Sequence, residues 1–277
     1  MRLVAINQAE GNVTMVPRGA IGRPRSFRKA HANHGNGQPP GRTAGRGCNL
    51  TACVTIPSDM NGEDGRRGIE SLVGELVRAR GEPPVDAIRA LSQAGEAAVE
   101  PLLATLNETE PDEDDWTPLW ITVTLGEIRS PRALPALIEL LKLPDGDILS
   151  EAAVEALAKI GLPSLPALME LSRSARDWEA RHYAYSAIGL IPGTESLVLL
   201  TGALETDALL WSSIAMALAD LGDKRAVTAL SRILTKCDER ESPQVREAID
   251  ILTGRQPPYP RMHERPWLER YLRQTVS

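Results

Sequence analysis

The chain is 277 residues long, 42% hydrophobic and 25% charged, with a formal net charge of −6. That apolar share is enough for a packed core, which excludes a wholly disordered polar chain, and the negative balance argues against nucleic acid as a partner. No apolar run approaches the roughly twenty residues of a membrane span, and an odd set of three cysteines makes no disulfide framework, so a cytoplasmic protein with no membrane partner is expected.

In residues 1–59, Arg2, Arg18, Arg23, Arg25, Arg28, Lys29, Arg42 and Arg46 face only Glu10 and Asp59, a balance of +6 that leaves −12 for residues 60–277. This stretch is rich in Gly, Pro and Asn, has Phe27 as its one aromatic residue, and shows no sustained apolar period. Residues 1–65 are therefore expected to form a disordered basic segment. An organelle transit peptide and a nucleic-acid-binding arm are the functional readings of its arginines. Composition changes sharply at Met60, so a natural start there would account for the contrast. His31, His34, Cys48 and Cys53 are residue types that zinc prefers, but their order fits no common finger and few apolar residues surround them. No metal and no cofactor is expected.

A first helix is expected at Ile69 to Arg78, and from Pro83 the chain becomes periodic. Its clearest unit places Ala153, Val154, Ala156, Leu157 and Ile160 on one face at the 3.6-residue period, and Gly161 then offers the left-handed residue that ends a helix. Pro163 suits a following first turn, and the second helix buries Leu165, Leu168 and Met169. Taking Leu157 as anchor, equivalents fall at Leu91, Leu125, Ile188, Leu218 and Leu252, in steps of 30 to 34 residues. Second helices recur as Val99/Leu102/Leu106, Leu134/Leu137/Leu141, Leu197/Leu200/Leu204 and Val227/Leu230/Leu234. Two helix patterns sharing one period mark a repeat array.

The link from Asn107 to Asp115 holds six carboxylates, whose last members favour the next helix N-terminus; its functional readings are a contact for a basic partner or a weak calcium loop, although the EF-hand spacing is missing. Trp116 and Trp178 each follow an aspartate ahead of a first helix, and Trp120 and Tyr183 each lie five residues before an anchor. Such repetition points to packing between helices, with an aromatic binding ridge as the alternative. His182, the one histidine of the periodic region, has no serine or cysteine nucleophile near it in sequence and is expected on the surface. No catalytic residue, and no enzyme, is expected. Beyond Gly254 the prolines to Pro266 forbid a regular helix, and Trp267, Leu268, Tyr271 and Leu272 then share a helical face, giving a linker and short helix over 255–277.

The Leu125-Gly126, Ile160-Gly161 and Leu221-Gly222 helix ends, the tight links and the Ala-Leu-Pro-Ala-Leu-Ile-Glu-Leu-Leu run from Ala133 to Leu141 resemble the short HEAT-like repeat of phycobilin lyases, from about Pro83 to Gly254. The resemblance implies an all-α fold, an α-solenoid of HEAT-like helix pairs over 66–254. It also implies a non-catalytic scaffold for protein partners, whose second helices line the concave surface. There the non-core row presents Glu139, Lys142, Glu170, Arg173 and Arg232 as candidate partner-binding residues, with Glu139/Lys142 and Glu170/Arg173 also spaced as i,i+3 pairs within their own helices. The alternatives are a phycobilin-lyase-like subunit acting with a partner on a bilin-carrying client, and a HEAT-like nucleic-acid-binding protein. The His-Glu pairs by which deoxyhypusine hydroxylase, a similar repeat enzyme, binds iron are represented only by His263-Glu264, outside the array.

Overall fold

The computed structural model describes residues 63–79, 83–109, 115–143 and 147–258. The basic segment to residue 59, Met60, the His31, His34, Cys48 and Cys53 set, Glu110 to Asp114 of the acidic link, and the expected helix at Trp267 to Leu272 lie outside these residues.

Among the described residues there are twelve α-helices and no strand. Helix α1 (Glu63–Arg78) precedes five helix pairs: α2 (Val85–Ala94) with α3 (Glu96–Glu108), α4 (Thr117–Ile128) with α5 (Leu134–Leu140), α6 (Asp147–Ile160) with α7 (Leu165–Ser174), α8 (Trp178–Leu190) with α9 (Thr194–Thr206), and α10 (Trp211–Leu221) with α11 (Ala226–Leu234). Helix α12 (Ser242–Thr253) is the first half of a sixth. First helices pack on one another in sequence, α2 on α4, α4 on α6 and so on to α12, while α5 lies on α7 and α9 on α11.

The anchors explain why this pairing forms. Leu91, Leu125, Leu157 and Leu218 are 0% exposed, Ile188 1% and Leu252 3%, so the one-sided apolar stripe of each first helix is sealed by its neighbours. Each such side chain contributes roughly 1.5–3 kcal/mol on leaving water. Helix α1 uses the same logic: Ile69, Val73 and Leu76 are buried as it packs on α2, α3 and α4, and it thereby covers apolar surface that the first repeat would otherwise leave open. It starts six residues ahead of the expected Ile69, because Arg66, Arg67 and Gly68 continue the helix while staying exposed, and so leave no apolar signal.

One expectation about helix ends needs correcting. Gly161 and Gly222, with φ of 81° and 74°, do close α6 and α10. Gly126, however, lies inside α4, and the left-handed residue there is Arg129 at φ 61°. The glycine serves a close approach: a Cβ on Gly126 would sit 2.8 Å from Ala156 Cα of α6. Gly189 of α8 does the same against α10, where a Cβ would fall 2.5 Å from the Ala217 carbonyl oxygen. Both glycines follow an anchor and both alanines precede one, so the first helices interlock through small residues at fixed places in the repeat.

Links are held by short polar side chains. Ser150 Oγ donates to the Leu140 carbonyl at 3.0 Å and Ser164 Oγ to the Leu157 carbonyl at 2.9 Å, each adding a side-chain bond to a carbonyl at a helix end. Asp115 accepts from the Thr117 amide at 2.9 Å, the helix-start role expected for the last acid of its link. No single helix among the described residues is long and apolar enough to cross a membrane.

Candidate interaction surface

Once each second helix turns its Leu-rich stripe inward, its opposite side has no role in the core. All five sequence-predicted residues stand on that side and all are exposed: Glu139 on α5, Lys142 just past its end, Glu170 and Arg173 on α7, and Arg232 on α11. Lys142 Nζ reaches Glu139 Oε1 at 2.7 Å, forming the pair expected one turn apart. The corresponding bond between Glu170 and Arg173 is not formed among the described residues. Arg232 instead crosses to the preceding repeat and bonds Glu205 of α9. Exposed pairs of this sort contribute at most about 1 kcal/mol to folding, which leaves the row available for other uses.

Other ion pairs bridge repeats away from this row. Lys159 Nζ meets Glu127 Oε1 at 2.7 Å, the two occupying equivalent positions in successive first helices. Arg132 bonds Glu100 across the α3 to α5 boundary. Each ties one repeat to the next.

A buried polar cluster went unrecognised in the sequence. Asp207, 7% exposed at the turn between α9 and α10, accepts from Arg181 at 2.7 Å and from the Tyr185 hydroxyl at 3.1 Å, both from α8. Burial and then the Asp207 charge push the Tyr185 phenol up to about 12, with Ser172 of α7 on its other side opposing the shift. Asp207 thus ties the turn after α9 to two side chains of α8, and Tyr185 extends the cluster to Ser172 of α7. The residues are 22 and 26 positions apart and have no counterparts elsewhere in the array, so the period gave no hint of them.

His182 also differs from expectation. It is half-buried, with Nδ1 2.9 Å from Ser213 Oγ of α10, because α8 and α10 approach closely at Gly189. Burial pulls its pKa below the usual histidine value. The separation of 31 residues, one repeat length, was a legible signal for this partner. Among the described residues no carboxylate bonds the ring, so the orienting acid of a nucleophile–base–acid relay is missing from the pair. The aromatic residues behave as packing elements: Trp120 is fully buried and stacks on Trp116 with centroids 5.7 Å apart, and Trp211 Nε1 donates to the Leu204 carbonyl at 2.8 Å.

Stacked helix pairs, buried anchors at one period and a polar row on the second helices define an α-solenoid. The repeats are of the HEAT type: residues 80–158 and 100–188 match the family model for HEAT repeats, and residues 212–236 match that of the PBS lyase HEAT-like repeat. The chain is a HEAT-like repeat protein. No curated protein matches it.

Proposed function

We propose that the chain is a non-catalytic, cytoplasmic scaffold that binds a segment of a protein partner along the second-helix face, through Glu139, Lys142, Glu170, Arg173 and Arg232. The observation that carries this reading is a row of exposed, alternating charges on helices whose opposite sides are committed to the core. Mixed charge suits a polypeptide, whereas phosphates would meet Glu139 and Glu170 with repulsion. HEAT repeats in general mediate protein–protein interaction, which supports the same class. The test is affinity capture with the full chain as bait, followed by the triple reversal Glu139→Lys, Glu170→Lys and Arg232→Glu. Partner capture should fall while helicity and melting stay close to wild type, since exposed charges contribute little to folding. Full-strength capture by the triple variant would remove the row as the binding site.

The match of residues 212–236 to the PBS lyase HEAT-like repeat favours a second reading, in which the chain acts with a partner subunit on a bilin-carrying client. Co-expression with bilin and a candidate client separates the two readings, because only the second yields pigment absorbance on the client.

A further inference from the structure

The array is closed at one end and open at the other. Helix α1 covers the first repeat, whereas α11, the last complete second helix, packs on α9 and α12 and has no further second helix on it among the described residues. The difference shows in its stripe. Leu197 and Leu204 of α9, on which α11 packs, are 7% and 1% exposed, while their counterparts Val227 and Leu234 in α11 are only half-buried. Such an end calls for a cap, because each repeat buries its apolar side only against its neighbours.

The sixth pair does not supply that cap in register. In every complete pair a leucine stands eleven or twelve residues after the anchor, and Leu102, Leu137, Leu168, Leu200 and Leu230 are all 0% exposed. From Leu252 the same count reaches His263 or Glu264, among the prolines that run to Pro266. The next apolar helical face in the sequence is that of Trp267, Leu268, Tyr271 and Leu272.

The chain already turns back onto α12. Gly254 closes that helix at φ 77°, the Arg255 and Gln256 amides donate to the Asp250 carbonyl at 2.8 and 3.1 Å, and their side chains reach Asp250 at 3.3 Å and Glu247 at 3.0 Å. From Pro258 to Trp267 is nine residues, a reach of up to about 30 Å, against about 18 Å for the length of α12. Charge favours the return: residues 259–277 have a side-chain balance of +2, with four arginines against Glu264 and Glu269, and residues 236–253 one of −2, with five carboxylates against Lys236, Arg240 and Arg246. Burial and then the Asp238 charge raise the pKa of Glu241, a sign of crowded negative charge at this end.

We propose that the segment holding Trp267, Leu268, Tyr271 and Leu272 folds back as a helix onto the α11–α12 end and serves as the displaced second helix of the sixth pair. The occupant of this end is thus residues 259–277 of the same chain, which offer the apolar side the end lacks, carry the opposite charge and are tethered within reach. A tethered segment docks at high effective concentration, so a modest apolar contact suffices to hold it. The inference is independent of the scaffold reading, since it concerns how the array is closed rather than what it binds.

Hydrogen exchange read by mass spectrometry on the full chain tests it, with Trp267→Ser, Leu268→Ser, Tyr271→Ser and Leu272→Ser combined. Exchange in α11 and α12 should rise about tenfold or more, because lost burial lowers the cost of opening those helices, while α2 to α7 keep wild-type protection. Tyr271→Ser alone should give a smaller rise in the same helices, and Glu269→Ser with Arg273→Ser, off the apolar face, should change them by less than about threefold. Exchange in α11 and α12 of the fourfold variant that stays within about twofold of wild type overturns the proposal. Should that variant unfold throughout, Tyr271→Ser decides, and a silent result there overturns it. Protection of α11 and α12 that fades when the wild-type chain is diluted would put the segment on a second copy, which overturns it as well.

Discussion

Replacing Gly189 with alanine should destabilise the array, against the usual helix preference for alanine. Alanine gains about 1 kcal/mol over glycine in a helix interior, so an exposed site would become more stable. At Gly189 the new methyl would stand 2.5 Å from the Ala217 carbonyl oxygen and 2.8 Å from Ala217 Cα. Ordinary carbon contacts need about 3.5–4.0 Å, and both obstacles are backbone, so relief requires α8 and α10 to separate by something near 1 Å. Overpacking of this kind costs about 1–3 kcal/mol, and separating the helices also stretches the His182–Ser213 hydrogen bond. After the propensity gain, the net loss should be up to about 2 kcal/mol. Urea denaturation followed by circular dichroism measures it, with Gly202→Ala as the control expected to gain up to about 1 kcal/mol because its Cβ meets open space. If Gly189→Ala proves as stabilising as Gly202→Ala, the first helices do not interlock through their small residues and the account of their packing is wrong.

Leu157→Ala, at an anchor that is 0% exposed, should cost about 2–5 kcal/mol in the same assay; a near-wild-type midpoint would put the repeat register in error. Asp207→Ala strands Arg181 and Tyr185 in a buried site and should cost about 3–5 kcal/mol, whereas an effect below about 1 kcal/mol would show that water replaces the carboxylate freely. For His182 the sign follows from its lowered folded-state pKa: below the unfolded value of 6.5 the unfolded chain takes up a proton that the folded site resists. Its contribution is thus complete above pH 6.5 and is lost as pH falls below it; melting temperature should drop over that range in wild type and drop less in His182→Gln, and parallel profiles for the two proteins would count against it.

Sequence and structure agree best where a physical requirement repeats. A helix pair that buries one face only must place an apolar residue at the same phase in each unit, so the anchors Leu91, Leu125, Leu157, Ile188, Leu218 and Leu252 recur at one phase and all are buried. The second-helix row was legible for the complementary reason, that residues excluded from the stripe must be exposed. What escaped were contacts formed once. Asp207 looks like an ordinary link residue, and only the fold brings Arg181 and Tyr185 onto it. Gly126 shows a different limit: glycine both ends helices and permits close approach, and the letters Leu-Gly cannot separate the two uses. Its φ and its distance to Ala156 do so.

The three repeat-helix glycines also show how a solenoid divides its labour. Gly126 and Gly189 let first helices approach, so their cost in helix propensity is returned as packing and the spacing of successive repeats is set there. Gly202 receives no such return inside the chain, since a Cβ there would meet nothing within 4 Å. A core glycine and a face glycine therefore respond oppositely to the same substitution: alanine at Gly189 should disturb the fold, while alanine at Gly202 should strengthen it by up to about 1 kcal/mol.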